Sequence, residues 1–254
     1  MKLEQALEIA SESHPGMVRP HNEDSVGFDA SCGLVVLADG MGGYNAGEVA
    51  SGITVSVMIS GVKEALMSGS PAVRDEKSGE DAGARMLRET VLKANGSVYN
   101  AAQSQPQYAG MGTTIVAGLF YDNRIAVAHV GDSRMYRLRG EAFERMTRDH
   151  SFLQEQIDSG VISAEEARLS RNKNLVTRAV GIDPEVKPDV SVHAVQAGDI
   201  YLLCSDGLSD MVAEEEIGTT LHMLRVNLPL AATQLIQMAN DNGGRDNVSL
   251  ILVR

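Results

Sequence analysis

The chain has 254 residues, with 22 basic against 34 acidic side chains and a formal net charge of −12. This balance argues against nucleic-acid binding, because a polyanion would be repelled and no Lys/Arg run offsets the repulsion. The N-terminus lacks the apolar segment of a secretory signal and no apolar run approaches a membrane span, so we expect a cytoplasmic protein that does not enter a membrane.

The first half of the chain contains two segments with helical periodicity. Apolar residues recur at spacings of three to five over 45–67, and the segment 84–102 carries Met86, Leu87, Val91, Leu92 and Val98, which predicts one helix in each segment. Between them, 68–83 is rich in glycine, serine and charge and is predicted to be a flexible linker.

Strands dominate the middle of the chain. The turn Asp122-Asn123 separates two apolar runs, and the short spacings predict an antiparallel meander. The polar stretch 148–174 is predicted to contain two short helical pieces. Beyond the strands around Asp24 and Asp39, the predicted strands are 113–121, 124–132, 133–140, 141–147, 186–195, 199–206 and 247–254, and two further helices are predicted at 213–225 and 228–241.

The order of these elements indicates the fold class. Strands, a helix pair, strands, a second helix pair and a last strand do not form a regular βαβα alternation. We therefore predict an α+β fold, a four-layer αββα sandwich of two mainly antiparallel sheets flanked by helix pairs.

Five aspartates lie at the ends of apolar runs. Asp39, Asp132 and Asp206 end such runs, Asp246 opens one, and Asp24 precedes a predicted strand. Each lies where an unpaired charge would be costly. Turn chemistry would explain any single one of them, but five together favour a shared cation site at the ends of facing strands.

The available ligands indicate which cation such a site would hold. Carboxylate and carbonyl oxygens suit Mg²⁺ or Mn²⁺ better than Zn²⁺. Asp39 is the natural bridging ligand between two cations, and Gly40 lets the backbone approach closely enough for its carbonyl to ligate. Arg19, five residues before Asp24, offers a planar fork for a phosphate, although a lone arginine is commonly a surface residue.

Seven motifs in order resemble the metal-dependent protein phosphatases of the PPM or PP2C type, in their bacterial stand-alone form. They are GMVRPHNEDS, LADGMGGYNAGEVAS, GTTIVAG, AHVGDSRMY, LVTRAVG, LLCSDGLSDMV and GGRDNVSLILV. One such motif is weak, whereas the ordered set is specific. The resemblance implies a single phosphatase domain over 1–254, with a double β-sheet flanked by helices and a flap at 148–174.

The resemblance also implies an activity. A metal-activated water would hydrolyse phosphoserine and phosphothreonine in proteins, which makes the chain a phosphoric monoester hydrolase. Two Mn²⁺ or Mg²⁺ ions would occupy the core site, with a third, weaker one beside them. The partners would be phosphorylated proteins, targets of a cognate bacterial Ser/Thr kinase, and the protein is expected to be a monomer.

Carried over residue by residue, the resemblance implies a role for each candidate. Asp39 would bridge the two metals, with Gly40, Asp206 and Asp246 as further ligands. Asp132 would hold the third metal together with Asp206. The remaining candidates are Asp24, expected in the metal site acting on the bound waters, Glu23 as a weaker alternative, Arg19 for substrate phosphate, and Asn247 for the water network.

Two positions depart from the family pattern and leave the general acid open. Met41 and Tyr44 stand where other members carry histidines, so the leaving-group proton would come from a metal-bound water or another residue. His21 is a candidate, against the alternative of a solvated loop histidine. His150 matches a common family position without an assigned role.

Alternative functions also remain open. DGMGGYNAGE and the short chain resemble phosphatases encoded beside type VI secretion kinases. The rival interpretations are a small-molecule phosphatase, a pseudophosphatase that binds phosphoproteins, and aspartates that serve turns alone.

Overall fold

The structure, a computed structural model, describes residues 5–42, 46–75, 79–163, 166–167 and 175–254. The strands are β1 (Ile9–His14), β2 (Asp24–Asp29), β3 (Leu34–Met41), β4 (Gly112–Thr113), β5 (Ile115–Tyr121), β6 (Arg124–Val130), β7 (Arg134–Arg139), β8 (Ala142–Arg145), β9 (Asp189–Ala194), β10 (Ile200–Cys204) and β11 (Val248–Val253). The helices are α1 (Ala46–Ser68), α2 (Ala82–Ser104), α3 (Phe152–Asp158), α4 (Asp206–Ser209), α5 (Glu214–Leu224) and α6 (Leu228–Asp241), with a 3₁₀ turn at Pro106–Tyr108.

The strands form two antiparallel sheets. One has the order β1-β11-β10-β7-β8, and the other has the order β2-β3-β5-β6-β9 with β4 paired to β3. Every strand pair in both sheets is antiparallel. The predicted pair of antiparallel sheets is therefore confirmed.

The alternation of side chains along each strand separates three layers of core. In β3, Leu34 and Val36 belong to a cluster shared with helices α1 and α2, whereas Val35 and Leu37 belong to the cluster between the two sheets. In β10, Leu202 packs in a third cluster with helices α5 and α6. Because successive side chains point to opposite faces, these clusters confirm the four-layer αββα sandwich.

The turn between β5 and β6 confirms the predicted meander. Asp122 and Asn123 have φ angles of 43° and 56°, and positive φ at both central residues defines the type I′ turn that suits a two-residue hairpin. The predicted strand 113–121 is instead interrupted at Thr114, because this residue hydrogen-bonds to Asp39 across the sheet.

Two other elements differ from their predictions. Strand β1 was not predicted, because only Ala10 of its six residues is buried and its pattern is polar. The predicted linker 68–83 is partly ordered within its described residues. Arg74 and Asp81 form a β-bridge, and the Asp81 side chain accepts a hydrogen bond from Gly83 N at 3.1 Å, which caps helix α2.

Helix α1 is long and apolar enough, by length and composition alone, to cross a membrane. Its side chains Met58 and Val62 are fully buried and pack in the same cluster as Leu87 and Val91 of α2. This packing makes α1 a core helix of the sandwich, and its apolar character follows from that position.

Candidate metal centre

The five aspartates singled out in the sequence converge at one end of the two sheets. The β2–β3 register places Asp24 directly opposite Asp39. Asp206 follows β10 at the start of α4, Asp132 follows β6, and Asp246 precedes β11. Burial raises the pKa of Asp39 well above its ordinary value, and the charges of the other four aspartates raise it further. Asp39, Asp132, Asp206 and Asp246 line one cavity, and with Asp24 beside Asp39 the five carboxyl groups form one cluster.

Backbone hydrogen bonds hold Asp39 in position. Its carbonyl accepts bonds from Thr114 N and Thr113 Oγ1, both at 2.8 Å. Its own N–H donates to Thr114 Oγ1 at 3.1 Å. The side chain therefore projects into the cluster from a fixed backbone, which is the arrangement a bridging ligand requires.

A serine hydroxyl holds the Asp24 carboxyl on one of its two oxygens. Ser205 Oγ donates to Asp24 Oδ2 at 2.9 Å. Asp24 Oδ1 is buried and has no hydrogen-bond partner among the residues that the structure describes. Burial raises the pKa of Asp24 to about 6. A buried carboxylate oxygen without a partner is costly, so a cation or its water fits this position.

The pKa values of Asp206 and Asp132 are also raised by burial and by neighbouring carboxylates. Burial raises the pKa of Asp206 well above its ordinary value, and the charge of Asp132 adds to the effect. Burial, and then the charge of Asp149, raise the pKa of Asp132 to about 6. Repulsion among buried carboxylates is relieved when divalent cations lie between them. An all-oxygen ligand set therefore fits Mg²⁺ or Mn²⁺ at this centre.

Close packing requires a glycine at position 40. A Cβ on Gly40 would lie 2.2 Å from the Gly47 carbonyl oxygen and 2.5 Å from the Glu23 carbonyl oxygen. The Gly40 N–H donates to that same Glu23 oxygen at 3.2 Å. The Glu23 carboxyl lies against the first turn of α1, where it bonds to the Gly47 backbone. The close contact between Gly40 and Gly47 thus brings helix α1 directly against the carboxylate cluster.

A cavity of about 540 Å³ opens over the cluster. Arg19 lies on its wall and donates to Asp246 Oδ2 at 2.7 Å, while 53% of the Arg19 side chain remains exposed. The guanidinium therefore stands at the mouth of the cavity beside one predicted metal ligand. The other lining residues include His21, Glu23, Asp39, Gly40, Met41, Asp132, Val176, Asp206 and Asn247.

The Asn247 side chain is hydrogen-bonded to three backbone groups. Its Nδ2 donates to Pro15 O at 3.0 Å and to His21 O at 2.8 Å. Its Oδ1 accepts from Glu23 N at 2.8 Å. The amide is therefore engaged by backbone groups and ties the segment that carries Arg19 to the start of β11, although the residue still lines the cavity.

The segment 148–174 is described as far as residue 163 and at 166–167. Within that part, Ser151 caps helix α3, accepting from Gln154 N, and pairs with Val176 in an isolated bridge. Val176 lines the cavity over the carboxylates, so this segment meets the rim of the site. Tyr44 lies outside the described residues.

Three hydroxyl groups that support the carboxylates were not predicted. Ser205 binds Asp24, Thr113 and Thr114 bind Asp39, and Ser205 Oγ also accepts from Ser249 N at 3.0 Å. Serine and threonine in strands carry no distinct sequence pattern. Only the sheet register brings Ser205 to the Asp24 carboxyl and the two threonine hydroxyls to the backbone of Asp39.

The fold and the acidic centre define the class of the protein, a four-layer sandwich that presents buried carboxylates suited to divalent cations. Residues 19–247 match the family model of protein phosphatase 2C. The chain belongs to the protein phosphatase 2C family, as the sequence motifs predicted.

Individual relatives agree with this assignment. The serine/threonine protein phosphatase PstP of Mycobacterium tuberculosis is 39% identical over 246 residues, which cover 97% of this chain and 44% of PstP, so the chain spans less than half of that relative. The PstP catalytic domain in complex with two manganese ions aligns with a TM-score of 0.82 and 38% identity over 97% of both chains.

Two further bacterial proteins are similar over nearly their whole length. The serine/threonine phosphatase stp of Listeria monocytogenes is 37% identical over 241 residues, which cover 94% of this chain and 92% of stp. PppA of Pseudomonas aeruginosa, described as a key regulatory component of T6SS, has a TM-score of 0.80 and 32% identity over 98% of this chain and 97% of its own.

Proposed function

We propose that this protein is a metal-dependent phosphatase that hydrolyses phosphoserine and phosphothreonine in proteins. The observation that carries the proposal is the cluster of five carboxyl groups beneath a cavity of about 540 Å³ with Arg19 at its mouth. The names of the similar proteins PstP and stp support the same reaction class.

The metal ligands in this proposal are oxygen atoms. Asp39 would bridge two ions, with the Gly40 carbonyl, Asp206 and Asp246 as further ligands, and Asp132 would hold a third ion with Asp206. The donor set suits both Mn²⁺ and Mg²⁺. Two such ions supply an activated water at neutral pH and neutralise the phosphoryl oxygens.

The chain's own residues bind phosphate and move protons. Arg19 orients the substrate phosphate through its planar fork. Asp24 accepts a proton at Oδ1, which has no partner among the described residues, while Ser205 holds Oδ2. His21, on the cavity wall, is the candidate for protonating the leaving group.

The proposal includes a biological setting. The chain forms one catalytic domain over 1–254 and acts as a monomer in the cytoplasm on the targets of a cognate Ser/Thr kinase. The description of PppA supports an association with type VI secretion. The neighbouring genes test that association, since a kinase and secretion components should be encoded beside this chain.

The experiment that tests the reaction is phosphate release from a phosphothreonine peptide by metal-stripped protein titrated with Mn²⁺ and with Mg²⁺. Asp39→Asn should lower the rate by about a hundredfold or more, since even outer-sphere changes at metal sites cost about 10–100-fold. Asp241→Asn, at an exposed position, is the matched control and should behave like the wild type.

Each alternative predicts a different result. Release from phosphorylated metabolites but not from the peptide would favour a small-molecule phosphatase. Binding of metal and phosphopeptide without release would favour a pseudophosphatase. Near-normal turnover by Asp39→Asn at saturating Mn²⁺ would remove Asp39 from the bridging role.

A further inference from the structure

A second group of metal-binding residue types lies beside the carboxylate centre. His129, His150 and Asp189 each offer one ligand atom, and these atoms lie within 4.8 Å of one another. Both histidines are buried, and their rings stack with centroids 4.7 Å apart. The hydrogen bonds around the group decide whether it holds a metal or serves another purpose.

The hydrogen bonds of His150 argue against a metal at this group. Gly131 N–H donates to His150 Nδ1 at 3.2 Å, so the ring proton lies on Nε2, which faces Asp189 Oδ2 at 3.3 Å. A metal at Nε2 would need the proton on Nδ1, where the Gly131 N–H already points. Arg178 Nη1 lies 3.3 Å from Asp189 Oδ1, so a guanidinium already compensates the only carboxylate of the group.

The same bonds attach His150 to the loop that carries Asp132. In addition to the side-chain bond, His150 N–H donates to Gly131 O at 2.9 Å, so both polar groups of Gly131 bind one residue. Gly131 has a φ of 103°, and a Cβ there would lie 2.6 Å from the Thr114 side chain. The residue before Asp132 is thus held between Thr114 on one side and His150 on the other.

His150 also connects this loop to the rim of the active-site cavity. Its carbonyl accepts from Thr177 N at 2.8 Å, and the neighbouring Val176 lines the cavity. His129 supports the arrangement, since it stacks on His150 and its Nε2 hydrogen-bonds to Arg148 O at 2.8 Å. His150 therefore connects three parts of the chain: the loop that carries Asp132, the start of the segment 148–174, and the residues around Thr177 that follow this segment.

We propose that His150 is a positioning residue that sets the orientation of Asp132 through Gly131, and thereby the affinity of the centre for the divalent cation that Asp132 contacts. This inference rests on the metal role of Asp132 in the proposed function. His150 itself touches neither metal nor substrate. Its imidazole accepts the Gly131 N–H bond at Nδ1 and stacks on the ring of His129.

The test is a calorimetric titration of Mn²⁺ into metal-stripped protein, with thermal unfolding measured in parallel. His150→Phe keeps a ring for the stack on His129 but removes the acceptor, and should weaken the Mn²⁺ affinity at the site by about five- to tenfold, as expected for loss of one buried hydrogen bond. His150→Asn keeps an acceptor near the Nδ1 position and should remain within about threefold of the wild type.

A double-mutant cycle separates positioning from general destabilisation. In an Asp132→Ala background, His150→Phe should cause no further loss of Mn²⁺ affinity, because residues that act through one another are not additive. His193→Phe, the same substitution on the neighbouring strand β9, is the matched control and should leave the titration unchanged.

Two results would overturn the inference: a His150→Phe titration equal to that of the wild type, or an equal loss of affinity in the Asp132→Ala background. In either case the wild type would still release phosphate in the presence of Mn²⁺. Failure of the wild type to bind Mn²⁺ and to release phosphate would instead overturn the proposed function, and this inference with it.

Discussion

The burial of the Asp24 carboxyl predicts that Asp24→Asn stabilises the metal-free protein at neutral pH. The folded state raises the pKa of Asp24 from 3.8 to about 6. The folded chain therefore holds the proton more tightly than the unfolded chain. The resulting stabilisation is fully present below about pH 4 and is lost as the pH rises through about 6.

The size of the effect follows from the difference between the two pKa values. A pKa of about 6 in place of 3.8 corresponds to about 3 kcal/mol of lost stability in the metal-free protein at about pH 7.5. An amide at position 24 is neutral, so the variant avoids this cost and can donate a hydrogen bond to the Asp39 carboxyl. For a chain of this length, about 3 kcal/mol raises Tm by about 6–12 °C.

The assay is thermal unfolding followed by circular dichroism in EDTA, from about pH 4 to about pH 8. The difference in Tm between Asp24→Asn and wild type should be near zero at the acid end and largest at about pH 7.5. Saturating Mn²⁺ should shrink or reverse it, because ligand binding stabilises the wild type by mass action. A variant that melts at or below the wild type at neutral pH in EDTA would refute the reasoning.

Three further substitutions test packing, phosphate binding and the core. Gly40→Ala places a Cβ 2.2 Å from the Gly47 carbonyl oxygen and should cost about 1–3 kcal/mol by calorimetry; Gly52→Ala, with nothing within 4 Å, is the control, and equal stability of the two would contradict the packing argument. Arg19→Lys removes the planar fork and should raise KM for a phosphopeptide about tenfold with a smaller change in kcat; an unchanged KM would exclude the phosphate contact. Leu202→Ala truncates a fully buried side chain and should lower the unfolding free energy in urea by about 2–5 kcal/mol; a loss below about 1 kcal/mol would show that the cluster collapses around the cavity.

The elements that could be predicted from sequence are those with strong local patterns. Strand β5 is a continuous apolar run because all seven of its residues are buried, and the Asp122-Asn123 turn follows from residues that tolerate positive φ. Strand β1 could not be predicted in this way. It is an edge strand with one buried residue, and its pairing with β11 joins the two ends of the chain.

The candidate site also contains residues that could be predicted from local sequence patterns and residues that could not. The acidic residues were visible because a carboxylate at the end of an apolar run is physically unusual, and because Gly40 follows one of them directly. The roles of the groups that hold them in place could not be predicted. Ser205, which binds Asp24, and His150, which binds Gly131, are ordinary residue types at ordinary spacings.

The local pattern of residues was thus enough to predict the sandwich and the five carboxylates, because burial periodicity and the cost of a buried charge can both be read from one chain. The family was predicted from the resemblance of the ordered motifs. Only the tertiary structure decided three other features. These are the register between β2 and β3, the hydrogen bonds of Asn247 to Pro15 and His21, and the attachment of the Asp132 loop to His150. These contacts join distant segments through hydrogen bonds whose partners are chosen by geometry, and neither composition nor spacing records that geometry.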